Sequence, residues 1–247
     1  MTTAVFAHRG ASGYAPENTI EAFALAQQMG ADGLEIDVQL TRDNELVVCH
    51  DERIDRVSDG IGRVVDQRLI DLKKLKFNRT HPEYGLTRLP TLRETLEFLA
   101  GTDMRLNIEL KNSQIPYETM EEKCLDLLQK TNLLDRVIFS SFNHYSMVKM
   151  KAMDQSVRCG LLYGSWLVNP WDYAKNLGMD AIHPEYHEPL LVEDECENAH
   201  AAGLHVNPWT VDNDHEMKTL MLLGADCLIT DFPDRAAAVR ERLREAN

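Results

Sequence analysis

Three stretches of this chain share one layout: MGADGLEID (29–37), LGMDAIHPE (177–185) and LGADCLITD (223–231). In each, a helical pattern ends on Gly, a short turn carries Asp, and an apolar run begins. Gly just past a helix takes the left-handed conformation without steric cost. A run that is apolar on both sides reads as a parallel strand covered by helices. The recurring unit is therefore helix, stop, buried strand, which places the chain among α/β folds. Aligned on the Gly, Asp37, Glu185 and Asp231 occupy equivalent strand ends.

The same alternation runs through the rest of the chain. Strands are predicted at AVFAH (4–8), GLEIDV (33–38), RLNIEL (105–110), RVIFSS (136–141), RCGLLY (158–163), DAIHPE (180–185), LHVNPWTV (204–211) and DCLITD (226–231). Amphipathic segments such as TIEAFALAQQMG, MEEKCLDLLQKTNLL and HEMKTLMLLG separate them, and PDRAAAVRERLREA closes the chain. Eight strands, each followed by a helix, predict a (βα)8 TIM barrel, and 247 residues suit a single such domain, 1–247.

Residues 41–90 break the rhythm. QLTRDNELVVCHDE reads as a hairpin with Asp43-Asn44 as a two-residue turn, which sets Asp37 opposite His50. The polar, Gly- and Pro-containing stretch that follows is long for a βα loop and is expected to form a small insertion, 51–90, over the barrel mouth. Helix formation resumes after Thr91, an N-cap whose capping box is completed by Glu94. In PENT (16–19), Asn18 or Thr19 caps the first helix.

Composition narrows the possible partners. Lys and Arg number 26 against 40 Asp and Glu, a formal charge of −14, which argues against nucleic acid and anionic membranes. Five widely spaced cysteines, with no C-x-x-C pair, point to reduced thiols. Polar His8-Arg9 arrives too early for the apolar stretch of a signal peptide, so a cytoplasmic protein with a small-molecule substrate is expected.

Barrel chemistry gathers where strands end at their C-termini. There the sequence places His8 and Arg9, Glu35 and Asp37, Glu109 and Lys111, His183 and Glu185, Trp209, and Asp231, with His50 returned by the hairpin. Glu35 and Asp37 are two apart and share a face, and facing inward spares them burial under helices. Converging carboxylates repel unless a cation sits among them, and an all-oxygen set suits Mg²⁺ or Ca²⁺ rather than zinc. An internal salt-bridge network through Arg9 and Lys111 is the alternative. Forked Arg9 and point-charged Lys111 suit phosphate oxygens, and His8 and His50 on neighbouring walls suit a base and an acid. Trp209, with Phe142 as partner, offers an apolar wall for the substrate's alcohol part. GASG (10–13) reads as a sharp turn after the first strand.

These motifs, HRG with PENT, then EIDV, VVCHD, IELK, PWTV and TDFP in order from His8 to Pro233, resemble the glycerophosphodiester phosphodiesterase family, most closely its cytoplasmic bacterial-type members. The DGIGRV segment resembles that family's insertion. The resemblance implies hydrolysis of glycerophosphodiesters to sn-glycerol 3-phosphate and an alcohol such as choline, ethanolamine or glycerol, in glycerophospholipid breakdown and glycerol metabolism. It also implies one divalent cation on Glu35, Asp37 and Glu109, acid–base work by His8 and His50, and phosphate contacts from Arg9 and Lys111. One departure is Pro208, directly before Trp209, because Pro lacks a ladder donor and constrains its neighbour.

Overall fold

The computed structural model describes residues 2–192 and 194–246. Strand β1 (Ala4–His8) leads into helix α1 (Ile20–Gln28), and β2 (Gly33–Leu40) forms a hairpin with β3 (Leu46–Val48). After residues 51–90, which hold the single-turn α2 (Leu69–Leu72), come α3 (Leu92–Ala100), β4 (Arg105–Leu110), α4 (Met120–Thr131), β5 (Val137–Ser141) and α5 (His144–Met153). The chain continues with β6 (Arg158–Tyr163), α6 (Pro170–Asn176), β7 (Ala181–Pro184), α7 (His187–Leu191) and α8 (Glu195–Ala201). It ends with β8 (His205–Val206), α9 (Asp214–Leu223), β9 (Cys227–Thr230) and α10 (Pro233–Glu245).

The parallel strands lie in the order β8-β7-β6-β5-β4-β2-β1-β9. Backbone bonds from Asp226 N to Val206 O and from Ile229 N to Pro208 O join the two ends, so the sheet closes into a TIM barrel of eight parallel strands with β3 appended to β2. Alternation sorts each strand. On β4, Leu106, Ile108 and Leu110 belong to the core under the helices. Arg105, Asn107 and Glu109 therefore face the barrel interior. On β2, Leu34, Ile36 and Val38 pack outward, which leaves Glu35 and Asp37 inside.

The repeated Gly and Asp have distinct physical jobs. Gly30, Gly178 and Gly224 all have positive φ, at 78°, 71° and 96°. Each following Asp clasps one residue of the preceding strand's main chain. The Oδ2 atoms of Asp32, Asp180 and Asp226 accept from Val5 N, Cys159 N and Val206 N at 2.7, 2.7 and 2.8 Å. The three Asp N–H groups return bonds to the carbonyls of those same residues. This reciprocal clasp sets each new strand in register with its neighbour.

Local signals for the helices also hold. Thr91 and Glu94 form the capping box of α3. Of the two candidates in PENT, Thr19 caps α1, accepting from Ala22 N. Residues 51–90 pack Ile54, Val57, Val64, Leu72 and Phe77 with Val47, Cys49 and Leu89 in an apolar cluster of their own.

Three expectations need correction. The hairpin ladder pairs Leu40 with Leu46 and Val38 with Val48, so Asp37 lies opposite Cys49, not His50. Thr41 N also donates to Glu45 O, which leaves a three-residue turn, 42–44, in which Asn44 takes φ 59°, one residue longer than Asp43-Asn44 alone. The run expected at 204–211 is a regular strand only at His205–Val206; Pro208, which has no N–H to donate, interrupts the ladder, and Trp209 pairs with Glu185 as an isolated bridge. His183 does not reach the mouth: it lies within the barrel, 1% exposed, with Asn207 Nδ2 at 3.0 Å from its Nε2.

Candidate active site

The site forms where β1, β2 and β4 end together. Register places His8 beside Glu35 and Asp37 beside Glu109. One oxygen from each of Glu35, Asp37 and Glu109 lies within 4.8 Å of the others, and all three side chains are buried. A cavity of about 70 Å³ opens over them, walled by His8, Arg9, His50, Asn107, Phe142 and Trp209 among others.

The carboxylates are unequal. Burial, with the charges of Asp37 and Glu109 added, drives Glu35 well above the usual carboxylate range. Burial also raises Glu109, against the opposing pull of Lys111. Asp37 is held below its usual value because Arg9, His50, Lys111 and an Asn18 hydrogen bond outweigh its burial. Lys111 Nζ donates to Glu109 Oε1 at 2.8 Å and Arg9 Nη1 to Glu17 Oε1 at 2.9 Å, so part of an internal salt-bridge network is present. It does not fully satisfy the cluster: buried Asp37 Oδ1 has no hydrogen-bond partner, and Lys111 Nζ stands 3.8 Å from it. An orphaned carboxylate oxygen between two carboxylates of raised pKa fits a hard divalent cation, and Glu35, Asp37 and Glu109 could hold one.

Local backbone geometry aims the β1 terminus. Arg9 takes φ 57°, and its N–H donates both to Glu35 O and to Glu35 Oε2. A non-Gly residue held in this region is typical of a constrained site. Gly10 follows at φ 83°, where a Cβ would lie 2.7 Å from Ala22 Cβ. The chain can turn away from the mouth there only without a side chain.

Each candidate histidine is held from behind by a carboxylate. His8 Nδ1 meets Asp231 Oδ1 at 2.6 Å, and Ser12 Oγ donates to that same oxygen. His50 Nδ1 meets Asp51 Oδ1 at 2.6 Å. A carboxylate on Nδ1 keeps the proton there and leaves Nε2 available for chemistry. Gln39, fully buried, donates to the carbonyls of Cys49, His50 and Asp51 at 2.9, 3.1 and 2.7 Å, which pins the segment carrying His50.

Arg56, from the segment 51–90, joins Asp51 to Glu17. Its guanidinium donates to Asp51 at 2.7 and 3.1 Å and to Glu17 at 2.5 and 2.8 Å. A continuous chain of hydrogen bonds thus runs from His50 through Asp51, Arg56 and Glu17 to Arg9. Across the cavity Phe142 meets Trp209 edge to face at 5.4 Å, and Trp209 Nε1 donates to His183 O.

The residues singled out from the sequence, His8, Arg9, Glu35, Asp37, His50, Glu109, Lys111, Phe142 and Trp209, thus gather around one mouth, whereas Glu185 turns aside to His187. Sequence reasoning missed the supports. Asp51 next to His50 and Asp231 at a strand end were visible signals. Asn18 was weighed only as a cap, yet its amide donates to Asp37 Oδ2 at 2.8 Å. Glu17 lies in the PENT motif but carries no role there, and nothing local marks Gln39 or Arg56.

Comparison with known proteins gives the family. The model of the Glycerophosphoryl diester phosphodiesterase family matches residues 8–235. A glycerophosphodiester phosphodiesterase of Caldanaerobacter subterraneus subsp. tengcongensis is 43% identical over 95% of this chain and 96% of its own. Among solved structures, an Oleispira antarctica phosphodiesterase in complex with the product sn-glycerol-3-phosphate superimposes with TM-score 0.86 at 29% identity, covering 97% of each chain. A glycerophosphodiester phosphodiesterase from Parabacteroides distasonis gives TM-score 0.86 at 27% identity, covering 98% of each. The chain belongs to the glycerophosphoryl diester phosphodiesterase family and is an enzyme of that class, a phosphodiester hydrolase built on a TIM barrel.

Proposed function

We propose that the protein hydrolyses glycerophosphodiesters to sn-glycerol 3-phosphate and an alcohol, using His8 and His50 as acid and base and one Mg²⁺ or Ca²⁺ on Glu35, Asp37 and Glu109. The observation that carries this reading is the pairing of two carboxylate-backed imidazoles, each with Nδ1 at 2.6 Å from its acid, beside a buried three-carboxylate cluster. A divalent cation bound there would supply positive charge against the phosphodiester and its transition state.

The chain's own groups do the rest. One imidazole takes a proton from the attacking oxygen as its bond to phosphorus forms. The other gives a proton to the departing alkoxide oxygen as the opposite P–O bond breaks. Arg9 and Lys111 balance the charge on the phosphoryl oxygens. Edge-to-face Phe142 and Trp209 shape an apolar wall for the carbon skeleton. Five buried free cysteines suit a reducing compartment, which supports a cytoplasmic location. Among the described residues no helix is long and apolar enough to cross a membrane.

The test is a panel of glycerophosphocholine, glycerophosphoethanolamine and glycerophosphoglycerol, each with EDTA, Mg²⁺ or Ca²⁺. Release of glycerol 3-phosphate only with added metal is expected. Undiminished release after chelation overturns the metal assignment, and silence on every diester with every metal overturns the substrate class.

A further inference from the structure

A second cavity of the barrel lies at the other end from the candidate active site. A cavity of about 100 Å³ opens among the N-terminal ends of the strands, lined by Arg105, Arg136, Arg158, Asn107 and His183 among others. Arg105 and Arg158 start β4 and β6, and Arg136 directly precedes β5, so three neighbouring strands each deliver a guanidinium to one rim. In a chain of net charge −14, none of these three pairs with a carboxylate among the described residues. Arg136 donates to the carbonyls of Met104 and Leu99, Arg158 to Asp135 O, and Arg105 lies 5.5 Å over the Phe6 ring.

Two acids share the cavity wall, and both are already engaged. Asp180 accepts from Cys159 N and from Lys151 Nζ. Asp226 accepts from Val206 N, His200 and His205. Deeper in, both side-chain polar atoms of Asn107 and Nδ1 of His183 lack partners, although each residue is only 1% exposed. Buried polar groups left unpaired at a cationic cavity call for a polar occupant. The space holds about three waters or one tetrahedral oxyanion.

We propose that this N-terminal mouth is a second binding site, for a small phosphate-class oxyanion held by Arg105, Arg136 and Arg158 with Asn107 at its inner end. Forked guanidiniums match tetrahedral oxyanions, two oxygens at a time. Asn107 gives the site a line to the catalytic end. It lies between Arg105 and Glu109 on the inward face of β4, and its side chain lines both cavities.

The experiment is calorimetric titration with inorganic phosphate and, separately, sn-glycerol 3-phosphate. The chain carries Arg9→Met and Lys111→Met, which removes the cations of the catalytic mouth. One saturable site is expected, and adding Arg105→Met with Arg158→Met should raise its Kd at least tenfold. Arg105 and Arg158 are exposed residues outside the apolar core, so their replacement leaves the core packing intact. Binding of both ligands assigns a phosphomonoester, and binding of phosphate alone assigns the free ion; either supports the site. Absence of saturable binding, or a Kd within twofold after the Arg105 and Arg158 changes, overturns it. Should the combined variant fail to fold, wild-type crystals soaked in tungstate decide: anomalous density between Arg105 and Arg158 supports the site, and none there refutes it. Each readout is binding, so it fails or succeeds independently of the catalytic assignment.

Discussion

Replacing Arg56 with Met keeps the aliphatic stem and removes four donor bonds, two to Asp51 and two to Glu17. The stability cost is small. The Arg56 side chain is 46% exposed, so solvent screens the ion pairs and the loss is about 1 kcal/mol. The catalytic cost is larger, because both carboxylates stand directly behind working groups. Asp51 keeps only His50 and Glu17 keeps only Arg9, so each carboxylate loses the group that fixes it behind its imidazole or guanidinium. Loss of such supporting partners typically lowers activity about 10- to 100-fold, or roughly 1.4–2.7 kcal/mol of transition-state stabilisation. Arg56→Lys should recover little, since a single ammonium cannot fork to two carboxylates. The assay is kcat/KM for release of choline from glycerophosphocholine, with Tm measured alongside. Activity within twofold of wild type, at unchanged Tm, would refute the claim that the hydrogen-bond chain positions the site.

Further perturbations test other links. Asp231→Asn should lower kcat about 10- to 100-fold, because His8 loses the carboxylate that fixes its tautomer; an unchanged kcat in steady-state assay would remove Asp231 from the site. Asn18 sits at φ 56° and donates to Asp37. Asn18→Gly and Asn18→Ala should lose the same activity, but Ala should cost about 1 kcal/mol more by denaturant titration, for the left-handed backbone. Glu195 is 1% exposed, and burial beside Glu188 pushes its carboxyl from 4.5 up to about 7. The folded state then binds the proton more tightly than the unfolded chain, so stability from this group is present below pH 4.5 and is lost as pH rises to about 7. The loss is on the order of 3 kcal/mol, and Glu195→Gln should flatten that part of the Tm–pH curve.

The sequence by itself determined the elements whose causes are local. Gly30, Gly178 and Gly224 mark helix ends because a residue without Cβ takes positive φ freely, and the Thr91–Glu94 capping box closes within one turn. RLNIEL and RCGLLY are strands over the predicted spans because alternation and flanking turns sit within a few residues. Since strand ends converge in a barrel, the same reading brought His8, Glu35, Asp37 and Glu109 to one mouth. Only the tertiary structure decided what depends on closure. The hairpin register turned on Thr41 and Asn44 choosing a three-residue connection. Asp231 meets His8 across 223 positions, and Arg56 meets Glu17 across 39. His183 went inside and Arg105 faced the far end because each strand's tilt and stagger in the closed barrel set the depth of every inward side chain. Periodicity assigns a residue to a face, but depth along that face exists only once eight strands have closed.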